Sequence, residues 1–454
     1  MRIRRWVAPA VVGAIVTVAY TVLAAWQWSH LVVRSWDLSI FTQLLQSYSR
    51  LQAPIVNVKG DGYNLLGDHF HPMLAVLAPP FALFPHAFTL LVIQAVCFGL
   101  SAGMFTAIAT RRLGGRGVGA LLGAAFGLSW GLQSAAEAQF HEIALAVPLL
   151  TGTVGALLDR RWRAAMLWAA PLVFVKEDLG LTVFAIGVLI AVLARSPRGL
   201  WLAAWGLAWF GIATLVVLPA LNPDGAWAYA SNADPGGLLA HPEGWFHPSK
   251  GHTLLLLLVT TAGFLLRSPL TLLLLPTLAW RFLSTNEGYW GPTWHYSAVL
   301  MPIAFGILLD GIERAHASRW MWLRTYARQG ATVAITVAAM LLPQLPLAGL
   351  LVPGAWAPPQ RGEAAASVLA AVPEGASVET DVGLMSYLVD DHDVYWIGNA
   401  NRAPDCILID RISGGTPREW GDVRGVARIL HADVTYEVVR AEGEYELACT
   451  DPGD

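Results

Sequence analysis

Charged and imidazole side chains gather in short strings of this sequence, each beside a long apolar run. The five strings are Trp36-Asp37-Leu38, Gly67-Asp68-His69-Phe70-His71-Pro72, Phe140-His141-Glu142, Lys176-Glu177-Asp178 and Trp294-His295-Tyr296. Carboxylates and imidazoles can exchange protons or bind a cation, and a lysine can hold a phosphate group. Because ionisable residues close to hydrocarbon are costly, we treat these strings as candidates for a functional site.

Each string also has a purely structural explanation. Asp37 precedes an amphipathic stretch that ends near Leu51, and an aspartate there can cap a helix on the membrane surface as well as react. In an extended chain, His69 and His71 project to one side, where they could bind a divalent metal ion, shuttle protons or brace a hydrogen-bonded corner. The need for such a metal ion stays open, and no other cofactor is indicated.

The other three strings also allow either a structural or a functional role. Phe140-His141-Glu142 could cap a tight turn, and it is not a zincin motif because Leu145 stands where the second histidine should be. Lys176-Glu177-Asp178 could be a solvated turn with local ion pairs, although a lysine at the lipid boundary suits a phosphate group. An aromatic belt explains the neighbours of His295 but not His295 itself.

The composition requires a membrane around most of the chain. Of the 454 residues, 55% are hydrophobic and only 13% are charged, with a mean hydropathy of +0.51, whereas soluble chains carry roughly 25% charged residues. Apolar runs predict about 11 spans, at about 7–25, 87–110, 117–134, 142–158, 164–176, 180–195, 200–221, 253–267, 269–284, 294–311 and 330–350. Several runs are shorter than the roughly 20 residues that cross a bilayer. Such a run can span the membrane only if the neighbouring charged string forms the end of its helix.

Basic residues predict which ends of these spans face the cytoplasm. Arg2, Arg4 and Arg5 place the N-terminus inside, and five later arginine-bearing loops then alternate to the same side. This assignment makes residues 26–72 the first outer loop and puts all five strings on the outer face. It requires that the apolar, proline-containing stretch 73–85 does not cross the bilayer.

The sequence changes character at its C-terminal end. We expect a multi-pass membrane domain over residues 1–352, a linker over 353–362 and a small soluble α/β domain over 363–454 on the non-cytoplasmic side. Short β-branched runs in the last part indicate strands. Cys406 and Cys449 can pair if this part is exported. A basic patch for nucleic acid is absent from the sequence.

The five strings, in this order and extended by Leu179-Gly180 and Ser297-Ala298, resemble the signature of a bacterial and archaeal family of predicted membrane proteins, domain of unknown function 2079. That family in turn resembles the C-type (GT-C) glycosyltransferases, which take a sugar from a polyprenyl-phosphate donor on the outer face. Many of those multi-span enzymes carry a soluble outer domain at the C-terminus. Asp37 matches the acidic residue of their first outer loop, whereas the string Asp68–His71 departs from their pattern.

The resemblance implies a GT-C-like polytopic α-helical enzyme of the cell membrane. Its partners would be membrane lipid and a polyprenyl-phosphate-linked sugar, with the sugar, the acceptor and the oligomeric state left open. Asp37 would be the general base, and Asp68 and Glu142 the other catalytic carboxylates. Lys176 would hold the donor phosphate. The expected substrate-binding residues are His69, His71, His141, Lys176, Glu177, Asp178, His295 and Tyr296.

Two alternative functions remain open. A membrane transporter or lipid flippase needs charges that are distributed through the depth of the membrane. A metal-dependent membrane hydrolase could be built on His69, His71, His141 and Glu142.

Overall fold

The computed structural model of this chain describes residues 4–32, 35–230, 244, 246–412 and 416–450. Arg2, one of the residues that predict a cytoplasmic N-terminus, lies outside the described residues. The chain divides into two compact units. Unit one comprises Met1–Leu23, Asp68–Met73 and Val92–Val352, and unit two comprises Ala24–Gly67, Leu74–Leu91 and Pro353–Asp454.

Helices dominate the described chain. Those long and apolar enough to cross a membrane are Trp6–Ser29, Ala87–Leu113, Arg116–Glu137, Arg198–Leu221 and His295–His316. Shorter apolar helices are Pro72–Leu83, Glu142–Leu158, Trp162–Phe174, Leu179–Ala194 and Pro269–Leu283. Helices Pro248–Thr260 and Met321–Leu341 are also present. The polytopic helical class agrees with the sequence, but the predicted count of about 11 spans is not confirmed, because only five described helices have the necessary length and apolarity.

Two helices of unit one, Leu179–Ala194 and Arg198–Ile212, form a tightly packed pair. A methyl group on Gly187 would come within 2.3 Å of the Ala203 backbone nitrogen. One on Gly199 would come within 2.3 Å of the Ala191 backbone nitrogen. Glycines therefore allow the two backbones to approach closely, as small residues do between helices in membranes. The same close packing reaches the start of helix Leu179–Ala194, where a methyl group on Gly180 would come within 2.7 Å of the Gly206 carbonyl oxygen. It thereby fixes the residue next to the string Lys176–Asp178.

A five-stranded sheet is the core of the C-terminal part of unit two. Its strands are β1 (Ser377–Thr380), β2 (Asp393–Trp396), β3 (Cys406–Asp410), β4 (Glu437–Glu442) and β5 (Tyr445–Cys449), in the order β2-β1-β3-β5-β4. Strand β1 pairs in parallel with β2 and β3, while β5 is antiparallel to β3 and β4. Helices Gly362–Leu369, Val382–Leu388 and Val423–Leu430 accompany it. Cys406 and Cys449 lie opposite each other on β3 and β5 and form a disulfide.

Part of the predicted first outer loop belongs to the same unit as this sheet. Helix Asp37–Ser49 starts at the predicted place, and the ring of Trp36 before it lies 4.5 Å from the ring of Trp396. Gln43 of the helix donates a hydrogen bond to the Val394 carbonyl oxygen at 2.9 Å. The leucines of its apolar face are buried in protein, so the expectation of a helix lying on the membrane surface is wrong. The apolar residues of a helix recur every 3.6 residues whether lipid or protein covers that face, so the spacing does not distinguish the two.

The close packing of the two helices predicts that two glycine-to-alanine substitutions change the free energy of unfolding in different directions. We expect Gly187→Ala to lower the free energy of unfolding by about 1–3 kcal/mol, because the methyl group meets backbone that cannot move aside. Gly211→Ala is the matched control on the partner helix, where nothing lies within 4 Å of the added methyl group. That variant should be neutral or stabilise by up to about 1 kcal/mol, as alanine does in helices. Thermal unfolding in detergent measures both, and equal shifts would contradict the close approach.

Candidate functional site

The Glu177 carboxylate joins the second and fourth strings in unit one. Its Oε1 lies 2.7 Å from Nδ1 of His69, and its Oε2 accepts a hydrogen bond from the Phe70 backbone N–H at 2.9 Å. Phe70 is held in turn by an apolar cluster with Ala213 and Leu218. Burial acts to lower the pKa of His69, but Glu177 raises it above the usual range. The Glu177 carboxylate therefore favours the protonated form of His69, in which the bond is charge-assisted.

A second buried pair joins the third and fourth strings. Lys176 Nζ lies 2.8 Å from Oε1 of Glu142, and the side chains are only 11% and 3% exposed. Burial acts to lower the pKa of Lys176, but Glu142, followed by Asp178 and Glu177, raises it well above its ordinary value. Lys176 is therefore a fixed positive charge at neutral pH.

Two stacked histidines extend the site to the fifth string. The rings of His141 and His295 have centroids 3.5 Å apart and are inclined by 25°. The ring of Tyr296 lies 4.1 Å from that of His295. Nδ1 of His295 is buried without a hydrogen-bond partner among the described residues. A buried polar atom of this kind needs an explanation, and a bound ligand is one.

Asp178 is a carboxylate that does not perform the structural role its position offers. It precedes helix Leu179–Ala194 but makes no side-chain cap to it. Its Oδ1 is buried with no hydrogen-bond partner in the part of the chain that the structure describes. Burial raises the pKa of Asp178 to about 6, with Lys176 acting in the opposite direction. Such a carboxyl can hold or release a proton near neutral pH.

Asp68 and His71 complete the second string. Asp68 Oδ1 accepts a hydrogen bond from the Tyr229 hydroxyl at 3.3 Å. The Tyr229 ring stacks on His69, with centroids 4.3 Å apart. His71 is almost fully buried, and burial lowers its pKa to about 4, so its imidazole is neutral. Nothing in the sequence around Tyr229 indicated a part in the site, because no charged string accompanies it.

Arg281 is a second residue that the sequence analysis missed. Its side chain is fully buried and donates hydrogen bonds to the carbonyl oxygens of Tyr289 and Gly291, both at 2.7 Å, and to Ser297 Oγ at 3.1 Å. It therefore braces the segment that carries His295. A charged residue inside the apolar run 269–284 was the available signal, since ionisable residues in such runs are functional candidates by default.

The structure thus connects four of the five strings within unit one. Their residues are Asp68, His69, His71, His141, Glu142, Lys176, Glu177, Asp178, His295 and Tyr296. Asp37 belongs to unit two, where it is the first residue of helix Asp37–Ser49. Its Oδ2 accepts a hydrogen bond from Ser35 Oγ at 2.5 Å. The N-cap position itself is occupied by Trp36, which makes no side-chain cap.

The donor geometry around His69 and His71 bears on whether they bind a metal ion. Among the described residues, no group of three or more His, Cys, Asp or Glu side chains is arranged to hold a metal ion. His69 is already engaged by Glu177 through Nδ1 and by Tyr229 through its ring face. The donors that the structure describes here therefore do not form a set that fits a metal ion.

A family model described as Predicted membrane protein (DUF2079) matches residues 28–447. The chain therefore belongs to this family of predicted membrane proteins. This membership confirms the family resemblance inferred from the five charged strings. No curated protein matches the chain.

The raised pKa of Asp178 gives a pH-dependent prediction. A carboxyl whose pKa is raised on folding stabilises the fold below its unfolded value of 3.8, and that stabilisation is lost as pH rises through about 6. We therefore expect Asp178→Asn to raise the free energy of unfolding at pH 7.5, on the order of 1–3 kcal/mol. The gain should shrink as pH falls from 6 to 4. Thermal unfolding at several pH values measures it.

The matched control is Asp224→Asn, which changes an exposed carboxylate in the same unit. We expect it to alter stability by less than about 0.5 kcal/mol at every pH. A gain in the Asp178 variant that is constant with pH, or that grows on acidification, would show that its carboxyl is not held protonated by burial.

Proposed function

We propose that this member of the DUF2079 family is a glycosyltransferase of the GT-C kind. It transfers a sugar from a polyprenyl-phosphate-linked donor to an acceptor hydroxyl on the outer face of the cell membrane. The observation that carries the proposal is the buried constellation around Lys176, in which a fixed cation lies among histidines and a protonatable carboxyl. The family resemblance supplies the reaction class, and this constellation supplies groups suited to a lipid-bound phosphate.

Lys176 is the residue we assign to the donor phosphate. When the bond between the anomeric carbon and the phosphate oxygen breaks, its electron pair stays on the phosphate, and a nearby fixed cation stabilises that growing charge. Glu142 holds Lys176 in place, so we assign Glu142 to positioning rather than to proton transfer. Nδ1 of His295 can donate a further hydrogen bond to a phosphate oxygen in the corresponding tautomer.

A protonated Asp178 reduces the repulsion between the carboxylates near Lys176 and the donor phosphate. A fully ionised set of carboxylates beside Lys176 would repel a phosphate. Burial raises the pKa of Asp178 to about 6, and an approaching phosphate anion raises it further, so that the carboxyl takes up a proton near neutral pH. The carboxyl then donates a hydrogen bond instead of repelling the anion.

Asp37 is the residue we assign to the acceptor. Its carboxylate takes the proton of the acceptor hydroxyl while the oxygen forms a new bond to the anomeric carbon. The assignment rests on the match of Asp37 to the acidic residue in the first outer loop of GT-C enzymes. Asp68 accepts a hydrogen bond from Tyr229, whose ring stacks on His69. We therefore assign Asp68 to orienting the substrate through the neighbouring His69.

Two features support an outer location and a site at one membrane face. The disulfide between Cys406 and Cys449 is of a kind that persists in oxidising compartments outside the cytoplasm. Glu142 and His295 are the first residues of their helices, and Asp178 directly precedes another. Charges at helix ends favour a site at one face over the transmembrane path that a transporter or flippase requires.

The assignment of the base can be tested by sugar transfer in lipid nanodiscs. We expect Asp37→Asn to reduce transfer from polyprenyl-monophosphate hexoses by about 100-fold or more, because general-base catalysis contributes about 10²–10⁴-fold. Donor binding should persist, since Lys176 is unchanged. Radiolabelled product and donor retained on the protein are measured separately.

Asp61→Asn is the matched control, because it alters an exposed carboxylate of the same outer loop. It should retain transfer. Full activity of the Asp37 variant would rule out Asp37 as the base. Movement of the donor lipid across the membrane of reconstituted vesicles without any transfer product would instead favour a function as a lipid flippase.

A further inference from the structure

An open cavity of about 420 Å³ lies in unit one where three helix ends meet. Helix Trp162–Ala169 begins there, helix Leu179–Ala194 ends there, and helix Arg198–Ile212 begins there. These ends belong to loops that carry arginine and none of the five charged strings. The cavity is therefore distinct from the candidate glycosyltransferase site.

The cavity combines positive charge with apolar walls. Arg161, Arg163 and Arg198 line it, together with Ser196. Its remaining walls are Trp162, Ala164, Met166, Ile190 and Ala194. This combination suits a ligand that carries a compact anionic group next to hydrocarbon.

Among the described residues, neighbouring carboxylates neutralise only part of the positive charge at the cavity. Arg161 Nη2 lies 3.2 Å from Asp159, but Asp159 is shared with Arg111 at the same distance. Among the described residues, no ion pair involves Arg163 or Arg198. The side chains of the cavity thus keep an excess of positive charge for an anion.

The surface beside the cavity identifies the kind of anion. On the same three helices, large apolar side chains are exposed close to the cavity, with Leu167 75%, Val192 67% and Trp201 76% exposed. In a membrane protein, such side chains face acyl chains. A ligand at this place therefore meets arginine at one end and lipid-facing hydrocarbon at the other.

We infer that this cavity binds the headgroup of an anionic phospholipid of the surrounding bilayer. The phosphate lies among the three arginines, and the acyl chains run along the exposed apolar faces of the helices. Basic pockets between membrane helices are known to favour anionic lipid headgroups. The inference does not depend on the proposed sugar transfer, since it uses none of the residues assigned to it.

Lipid retention tests this inference with the full chain. The protein is reconstituted in vesicles of equal parts phosphatidylglycerol and phosphatidylcholine and exchanged into detergent, and retained lipids are counted by mass spectrometry. We expect phosphatidylglycerol to be retained at least about fivefold over phosphatidylcholine, because one arginine near an anionic headgroup favours it about fivefold. The triple variant Arg161→Gln, Arg163→Gln and Arg198→Gln should lose this preference.

A control triple variant, Arg267→Gln, Arg319→Gln and Arg328→Gln, removes the same charge from exposed arginines that do not line the cavity. It should keep the preference. Ala194→Trp fills the cavity without changing charge and should abolish the preference even if the arginine variant does not fold. Equal retention of both lipids by the natural protein, or equal loss in both triple variants, would overturn the inference.

Inorganic phosphate and glycerol 3-phosphate distinguish a lipid headgroup from a free anion. Neither should displace retained phosphatidylglycerol at millimolar concentration, because they lack acyl chains that pack along the helices. Complete displacement by either compound would show a site for a water-soluble phosphate and would overturn the assignment to lipid.

Discussion

The bond between Lys176 and Glu142 is the interaction on which the candidate site depends. Both side chains are almost excluded from solvent, and a charge left alone there would cost several kcal/mol. Each charge therefore needs a partner from a different segment of the chain. Together with the pair of His69 and Glu177, this requirement ties three separate strings to one another.

The scaffold around these pairs limits how far they can move. Gly180 and Gly206 bring two helix backbones together directly after the string Lys176–Asp178. Arg281 fixes the segment before helix His295–His316 through hydrogen bonds to main-chain carbonyl groups. Charges held in this way need little reorganisation when a substrate anion arrives, which is the condition for electrostatic catalysis.

Sequence alone predicted the membrane class and most of the charged residues of the site. Lys176, Glu177 and Asp178 were recognisable because three consecutive charges interrupt apolar runs. Their partners were not, since the choice of His69 for Glu177 depends on contacts between segments more than 100 residues apart. Tyr229 offered no local signal, whereas the fully buried Arg281 could have been identified from the apolar run around it.

One prediction was wrong and another was not confirmed, because the periodicity of apolar residues does not show what covers a helix or where it ends. The apolar face of helix Asp37–Ser49 looked suited to lipid, but its leucines are covered by protein, and Gln43 is bonded within the unit that contains the sheet. The expected number of spans was also not confirmed. Apolar runs such as Leu179–Ala194 and Pro269–Leu283 form helices too short to meet the length of a full span, although their composition is largely apolar.

A double-mutant cycle on Glu142→Gln and Lys176→Met tests the central claim most directly, with free energies of unfolding measured in detergent. We predict a coupling energy of about 2 kcal/mol or more, because removing one partner leaves a buried charge without compensation. The pair of Arg440 and Glu442, whose nearest atoms are 2.8 Å apart and whose side chains are 51% and 41% exposed, should give about a quarter of that coupling energy or less in the matched cycle. Effects of Glu142→Gln and Lys176→Met that add to within about 0.5 kcal/mol would contradict the account.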